Sequence, residues 1–134
     1  MHLSRRVPAL AAALLLSACA LLPALAEASN NVTLSNSSNG SSVTVTRGST
    51  VWVDLKGDVG AGTELLWSLP TVSNASVLRP RSESQVRADT RAVYVSAHTG
   101  SATISSHEAC RVTAPGHACP LFILLWHAEV TVRP

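Results

Sequence analysis

The residues best suited to chemistry lie in one short stretch, ISSHEACRVTAPGHACPLFILLW (residues 104–126). It contains two histidines and two cysteines with the spacing H-x2-C-x6-H-x-C, namely His107, Cys110, His117 and Cys119. Imidazole and thiolate groups suit zinc or copper, so four of them in one loop could form a tetrahedral metal site. The two cysteines could instead form a disulfide, because the loop between them contains the turn dipeptide Pro-Gly.

The N-terminus favours the disulfide. Residues 1–26, MHLSRRVPALAAALLLSACALLPALA, combine a basic start, an apolar run and a small-residue end, which is the pattern of a secretory signal peptide. The apolar run over residues 7–22 is short for a membrane span of about 20 residues. Cysteine pairs in exported chains are usually oxidised, and a disulfide sulfur is a poor metal ligand. We therefore predict a Cys110–Cys119 bridge and no cofactor.

Two cleavage sites fit the signal segment. The ALA sequence at residues 24–26 is an A-x-A site that gives a mature chain starting at Glu27. The LSAC sequence at residues 16–19 resembles the lipobox of bacterial lipoproteins, and this resemblance implies cleavage before Cys19 and acylation of its sulfur. The predicted organisation is a signal peptide over 1–26 (or 1–18), a polar tether over 27–41 and one folded domain over 42–134.

Four asparagines match the N-glycosylation acceptor pattern, namely Asn31, Asn36, Asn39 and Asn74. Three of them lie in one Ser/Asn-rich tract, where matches by chance are expected. We interpret them as polar turn sequence, and they would carry sugar only in a eukaryotic host.

The charges argue against nucleic acid as a partner. The chain has 10 Lys and Arg and 8 Asp and Glu, and two of the basic residues, Arg5 and Arg6, lie in the predicted signal peptide. The remainder is therefore balanced and has no excess of basic residues for a polyanion. We predict a protein or envelope component as the partner, with membrane contact only through a lipid on Cys19. The predicted location is outside the cytoplasm: secreted, periplasmic or lipid-anchored at the cell envelope.

Beyond residue 42, apolar side chains recur at every second position, as in half-buried strands. TVWVDL (50–55) and SATISS (101–106) show this clearly, and no apolar stripe at helical spacing competes with it. Seven or eight short strands separated by turn signals predict an all-β, immunoglobulin-like antiparallel β-sandwich. Within it, Arg47-Gly48-Ser49 is predicted as a tight hairpin, residues 57–62 as a glycine-rich loop and RSESQVRADT (81–90) as a charged loop.

The last strand and the tryptophans give expectations about burial. In FILLWHAEVTVR (122–133), one face is apolar throughout, while the other changes from apolar to polar after Leu125. This predicts a strand that is covered on both sides at its first end only. Because aromatic residues are few, Trp52, Trp67 and Trp126 are expected to supply much of the bulky core.

The sequence contains no set of residues at catalytic spacing. G-x-S-x-G and H-E-x-x-H are absent, and GDVGAG lacks the Lys-Ser/Thr ending of a phosphate-binding loop. His127 and Glu129 share a strand face, an arrangement more typical of a solvent-facing pair than of an acid/base pair. We therefore predict a protein that is not an enzyme.

The order of these elements resembles the chagasin-like inhibitors of papain-type cysteine peptidases. The resemblance rests on GSSVTVTRGSTVWVDL (40–55), a glycine-containing loop leading to Trp67, and Trp126 before HAEVTV. It implies an immunoglobulin-like domain whose three loops plug a protease cleft. The N-P-T-T-G, G-x-G-G and R-P-W motifs of those loops are absent here, so no inhibitory role is assigned to a residue. The chain also resembles exported bacterial lipoproteins of unassigned function with a paired-cysteine loop before the last strand.

Two functions from different classes follow from these observations. The first is an exported, non-catalytic binding or envelope module that acts through its inter-strand loops. The alternative is a chagasin-like cysteine peptidase inhibitor with diverged loops at 57–63, 82–90 and 110–119. An exported metal-binding protein, with the two histidines and two cysteines named above as ligands, is the third hypothesis.

Overall fold

The computed structural model describes residues 29–134, and the predicted signal peptide with Cys19 lies outside them. In this part of the chain no helix has the length and apolar character needed to cross a bilayer. The described residues form nine strands and one turn of 3-10 helix at Asn36–Ser38. The strands are β1 (Ser29–Ser35), β2 (Ser41–Leu55), β3 (Asp58–Val59), β4 (Thr63–Trp67), β5 (Thr71–Val72), β6 (Leu78–Val86), β7 (Asp89–Ser96), β8 (Gly100–Val112) and β9 (Ile123–Arg133).

The strands form two layers that share β2. One layer has the order β3-β4-β8-β9 and continues into the first half of β2, with the short β5 also paired to β8. The other contains β1, the second half of β2, β7 and β6. The predicted all-β, immunoglobulin-like fold is confirmed.

Strand β2 joins the layers because it bends in its middle. Residues 41–46 pair in parallel with β9, whereas residues 50–55 pair antiparallel with β7 and in parallel with β1. The bend contains Gly48, whose φ of 90° lies in the left-handed region that glycine adopts at little cost. The predicted hairpin at Arg47-Gly48-Ser49 is therefore wrong: the chain changes sheet there without reversing direction.

The core lies between the layers and follows the predicted alternation. Val51, Val53 and Leu55 are buried, as are Trp67 and Trp126. The same cluster contains Leu34, Val45, Val77, Leu78, Ala92, Tyr94, Ala102, Ile104, Ala128, Val130 and Val132.

The expectation that Trp52 belongs to the core is wrong, since 48% of this residue is exposed. Its neighbours Val51 and Val53 both point inward. Successive side chains of a strand point to opposite faces, so the indole of Trp52 is directed to the outer surface.

Two further segments form strands, one in the predicted tether, where Val32 and Leu34 alternate, and one in a predicted loop. Residues 29–35, part of the predicted tether, make β1, which is held by backbone pairing to β2 and by the buried side chain of Leu34. The predicted loop over 81–90 is wrong, because it belongs to a hairpin in which β6 and β7 are joined by Arg87 and Ala88. β6 lies at the edge of its layer, and every residue after Leu78 is exposed, so it needs no apolar side chains.

The start of β9 also departs from the predictions. We call residues 121–125 the apolar strip, and the last four of them were expected to be covered on both sides. All five are large apolar residues, and they are 48–105% exposed. The covering prediction is wrong because β2 lies beside β9 only from Ala128 onward.

Candidate functional site: three loops at one end of the sandwich

Three connections meet at the same end of the fold. They are the glycine loop (residues 56–62) after β2, the arginine turn (86–89) between β6 and β7, and the disulfide loop (113–122) between β8 and β9. The pairing of β2 with β7 brings the end of β2 next to the start of β7, where the arginine turn lies. The pairing of β4 with β8 brings the start of β4 next to the end of β8, where the disulfide loop begins. We call the three together the three-loop edge.

Backbone hydrogen bonds connect the loops to each other. The amide of Trp67 donates to the Ala88 carbonyl at 3.1 Å, which holds the arginine turn against the end of β4. The amide of Gly57 donates to Oδ1 of Asp89 at 3.0 Å. The amide of Thr113 donates to the Gly62 carbonyl at 2.9 Å. The glycine loop therefore contacts both of the others.

The glycines of this loop serve close packing. A Cβ atom at Gly57 would overlap the Leu65 carbonyl and Ala88, and one at Gly62 would overlap the ring of His117. Neighbouring chain segments occupy the space that a side chain would need. The loop is thus a packing element, consistent with the absence of a phosphate-binding motif.

Glu64 holds the three-loop edge together by charge. Its side chain is only 10% exposed, and its Oε2 accepts a hydrogen bond from Nη2 of Arg111 at 2.7 Å. Its other oxygen lies 3.9 Å from Nη2 of Arg87, in the arginine turn. One carboxylate of β4 therefore interacts with β8 beside the disulfide and with the turn of the opposite layer.

A second set of ion pairs lies between the glycine loop and the arginine turn. Nζ of Lys56 is 3.3 Å from carboxylate oxygens of both Asp54 and Asp89. Asp54 also lies 3.5 Å from Nε of Arg91. These groups are exposed by a third or more, so each pair stabilises the loops by well under about 1 kcal/mol.

Cys110 and Cys119 form a disulfide with a Cα–Cα distance of 5.6 Å. The bridge ties the disulfide loop to β8 where β8 pairs with Leu65 of β4. The histidines of the hypothetical metal set have other contacts, since His107 lies 3.2 Å from Oγ of Ser68 and His117 packs against Gly62. Within residues 29–134 no group of three or more His, Cys, Asp or Glu side chains is arranged to hold a metal ion.

The four asparagine side chains of the glycosylation prediction make hydrogen bonds to the backbone. Asn36 bonds to both the amide and the carbonyl of Lys56, and Asn39 bridges the Leu125 carbonyl and the His127 amide. Asn31 accepts from the Thr50 amide, and Asn74 accepts from the Ser76 amide. These bonds give the Ser/Asn-rich tract a structural role, while glycosylation stays a prediction.

Two grooves flank the disulfide. One, of about 540 Å³, runs between the bridge and the start of β9 and is lined by Cys119, Pro120 and Phe122 among others. The other, of about 240 Å³, separates the glycine loop from the same Pro120 and Phe122. The disulfide loop therefore stands out from the sandwich with open space on two sides.

Glu108 is a buried carboxyl of β8 opposite Trp67. Burial raises its pKa, and the Asp58 carboxylate nearby raises it further. Because the pKa is higher in the folded state, the protonated carboxyl stabilises the fold. This contribution to the free energy of unfolding is fully present below the unfolded-state pKa of about 4.3 and is lost as pH rises through the folded-state pKa.

We expect Glu108→Gln to raise the free energy of unfolding at neutral pH, because the amide does not ionise. The variant should also reduce the fall in stability that the wild type shows as pH rises above about 4.3. Urea denaturation between pH 4 and 8 measures both effects, with the exposed Glu129→Gln as the matched control. Equal pH profiles for the two variants would contradict the prediction.

Sequence reasoning located the glycine loop and the disulfide loop, whereas most of the third predicted loop (82–90) is strand and only its turn belongs to the edge. It did not identify Glu64 and Arg87 as residues that connect the loops. Trp67 of β4 lies in the core, as expected. A single acidic residue within a buried strand was the available signal, since such a group requires a charged or hydrogen-bonding partner.

Comparison with known proteins gives a fold and no family. No protein-family model and no curated protein matches the sequence. Among solved structures, the cysteine protease inhibitor EhICP2 from Entamoeba histolytica matches at a TM-score of 0.50 and 11% identity, over 77% of this chain and 95% of that one. PbICP-C, solved in complex with falcipain-2, has a TM-score of 0.49 and 15% identity over 81% and 96%. Amebosin has a TM-score of 0.43 and 15% identity over 75% and 96%.

The likeness to EhICP2 supports the resemblance stated from the sequence. At 11% identity it shows the fold alone, and this is the immunoglobulin-like fold of the chagasin-like inhibitors.

Proposed function

We propose that this protein is a non-catalytic inhibitor that binds papain-type cysteine peptidases through its three-loop edge. The observation that carries the proposal is the gathering of three loops at one end of a fold shared with a cysteine protease inhibitor. A wedge made of three loops needs no motif in common with another inhibitor, provided that the loops are held in a fixed arrangement. The Glu64 ion pairs and the disulfide supply that rigidity.

Rigidity matters because binding a cleft costs free energy for every loop that must become ordered. Each of the three loops is attached to at least one of the others, by hydrogen bonds to the Gly62 carbonyl and to the Asp89 carboxylate. The disulfide loop also presents Phe122, half exposed, next to its two grooves. An apolar tip on a fixed loop is suited to a protein cleft.

Papain inhibition tests the proposal directly. We expect micromolar purified protein to slow hydrolysis of a fluorogenic peptide by papain, reversibly and without being cleaved. Glu64→Gln should weaken inhibition by roughly fivefold, because an ion pair of this exposure contributes about 1 kcal/mol to holding the loops in place. Inhibition constants from steady-state rates measure this difference.

The matched control is Glu129→Gln, the same change at an exposed position of β9. It should inhibit papain as the wild type does. Absence of inhibition by folded wild-type protein would refute the proposal. If the protein inhibits papain but neither Glu64→Gln nor Glu129→Gln weakens the inhibition, peptidase binding does not depend on the three-loop edge.

The proposed location at the cell envelope would place the three-loop edge away from the membrane. Ser29 pairs with Val45, which pairs with Val132 at the far end of β9, whereas the disulfide loop enters β9 at Ile123. A lipid anchor on Cys19 would thus leave the sandwich at the end opposite the loops. In this proposal an exported and anchored protein presents the three-loop edge away from the membrane.

The broader hypothesis, a binding module for another protein, is favoured by the loop sequences. The glycine loop and arginine turn lack the inhibitor motifs, and a disulfide loop stands where R-P-W is expected. If papain is not inhibited, the same edge remains the candidate surface for a different protein partner.

A further inference from the structure

The apolar strip is the largest run of exposed apolar residues among those described. The exposed fractions are 105% for Leu121, 50% for Phe122, 63% for Ile123, 48% for Leu124 and 69% for Leu125. No charged residue interrupts residues 118–126. Soluble proteins seldom expose such a patch unless it contacts something.

The strip also has an open backbone edge. β8 pairs with β9 on one side from Ile123 onward, whereas on the other side β2 begins only at Ala128. The residues before β2 bond to the next part of this edge. The Gly40 amide donates to the His127 carbonyl, and the Asn39 side chain bonds to the His127 amide and the Leu125 carbonyl. No strand of residues 29–134 pairs with residues 121–124 on that side.

The backbone groups of Ile123 point to this open side. In a strand, hydrogen-bonding groups alternate between the two edges, so residues two apart face the same edge. The Leu125 carbonyl and the His127 amide face the β2 side, where Asn39 bonds to them. The amide and carbonyl of Ile123 therefore face the same side, available to another strand.

The chain immediately before Ser29 does not supply that strand if the signal peptide is cut at the A-x-A site. Ser29 lies near Val132, nine residues along β9 from Ile123, which corresponds to about 30 Å. After this cut only Glu27 and Ala28 precede Ser29, and two residues span at most about 7 Å. A chain cut at the lipobox would begin ten residues before Ser29, a length of about 35 Å, but a lipid on Cys19 would hold that segment at the membrane and away from the strip.

We infer that a second copy of this chain pairs with the open edge of β9. Antiparallel pairing with Ile123 opposite Ile123 lets these two residues exchange their backbone hydrogen bonds. It places Leu121 of one copy opposite Leu125 of the other, and Phe122 opposite Leu124. Every cross-strand pair is apolar and no charges are opposed, so the strip is complementary to itself.

The exposed area is sufficient for a small dimer. Side chains of this size present roughly 150–200 Å² each when fully exposed, so the strip presents about 600 Å². Two strips can bury at most roughly 1,200 Å², the lower limit for a specific interface, because edge-to-edge pairing leaves part of the side chains on each face exposed. We therefore expect a reversible dimer with a dissociation constant in the micromolar range.

Analytical ultracentrifugation of the purified protein tests the dimer. Wild-type protein should change from monomer to dimer as its concentration rises through the micromolar range. Ile123→Glu and Ile123→Lys should each raise the dissociation constant at least about tenfold, since each places like charges opposite one another. An equimolar mixture of the two variants should form a heterodimer.

The matched controls are Trp52→Glu and Trp52→Lys. Trp52 is 48% exposed, the same as Leu124 of the strip, but lies on the outer surface of the second half of β2 in the other layer. These controls should dimerise as the wild type does, and dichroism should show that all four variants are folded.

Three results would overturn the inference. They are a wild-type monomer throughout this range, a dimer that the Ile123 variants leave intact, and a monomer that instead sediments with phosphatidylcholine vesicles, which would assign the strip to lipid. Phe122 belongs to both proposed contacts, so the dimer and the papain complex should compete for it. Sedimentation is measured without papain and inhibition at protein concentrations below the dissociation constant of the dimer, so either proposal can fail alone.

Discussion

Replacing Trp67 with alanine is expected to lower the free energy of unfolding by about 3–5 kcal/mol, the usual cost of truncating a buried tryptophan. Trp67 is 2% exposed, and its indole nitrogen donates to the Lys56 carbonyl at 3.0 Å. The change would leave a cavity and would remove one of the two hydrogen bonds that the Lys56 carbonyl accepts, the other coming from Asn36. Urea denaturation followed by dichroism measures the loss.

Trp52→Ala is the matched control, because it removes the same side chain from an exposed position of β2. It should cost about 1 kcal/mol or less. Trp67→Phe should fall between the two, since it keeps most of the volume and removes the hydrogen bond. A Trp67→Ala variant as stable as Trp52→Ala would contradict the assignment of Trp67 to the core.

Removing the disulfide is the second change with a large expected effect. The bridge joins residues nine apart in sequence, and a ring of this size restricts the unfolded chain by about 2–3 kcal/mol. We expect the double variant Cys110→Ser/Cys119→Ser to lose stability by that amount. Its weaker hold on the disulfide loop should also reduce papain inhibition. Urea denaturation measures the first effect and steady-state inhibition the second.

Reduction of the wild type supplies the control for the disulfide. Dithiothreitol should lower the stability of wild-type protein to that of the double variant and should leave the variant unchanged. Thiol titration of native wild-type protein should find neither Cys110 nor Cys119 free before reduction. Two free thiols, or a double variant as stable as the wild type, would contradict a structural role for the bridge.

The strands that the sequence predicted best are those with one buried face. In β2, Val51, Val53 and Leu55 alternate with Trp52 and Asp54, and the structure buries the first three. Ala102 and Ile104 of β8 follow the same rule and are also buried. The period of two is a local consequence of strand geometry, so it can be recognised without knowing the strand's neighbours.

The departures occur where a neighbouring strand, not the local pattern, determines the outcome. Arg47-Gly48-Ser49 has the composition of a hairpin turn, yet β2 continues because β9 pairs before it and β7 after it. β6 carries no apolar alternation, yet it forms a strand because β7 offers an edge. Neither pairing partner is evident from the residues themselves, since pairing uses the backbone.

The candidate site shows the same division. The sequence located two of the three loops and favoured the disulfide over a metal site, but it did not reveal that Glu64 interacts with both Arg87 and Arg111. Those residues are 23 and 47 positions away from Glu64, and only the packing of the two layers brings them together. The sequence also predicted that the apolar strip is covered. This is wrong because an apolar run by itself carries no information about where the neighbouring strand begins.

The sequence by itself determined the all-β class, the inward faces of the core strands and the closeness of the two cysteines, because these depend on residues within a few positions of each other. Only the tertiary structure decided that β2 serves both layers, that three loops form one edge and that the apolar strip is open. Each of these depends on which strand lies beside which, and that follows from the free energy of packing the whole core.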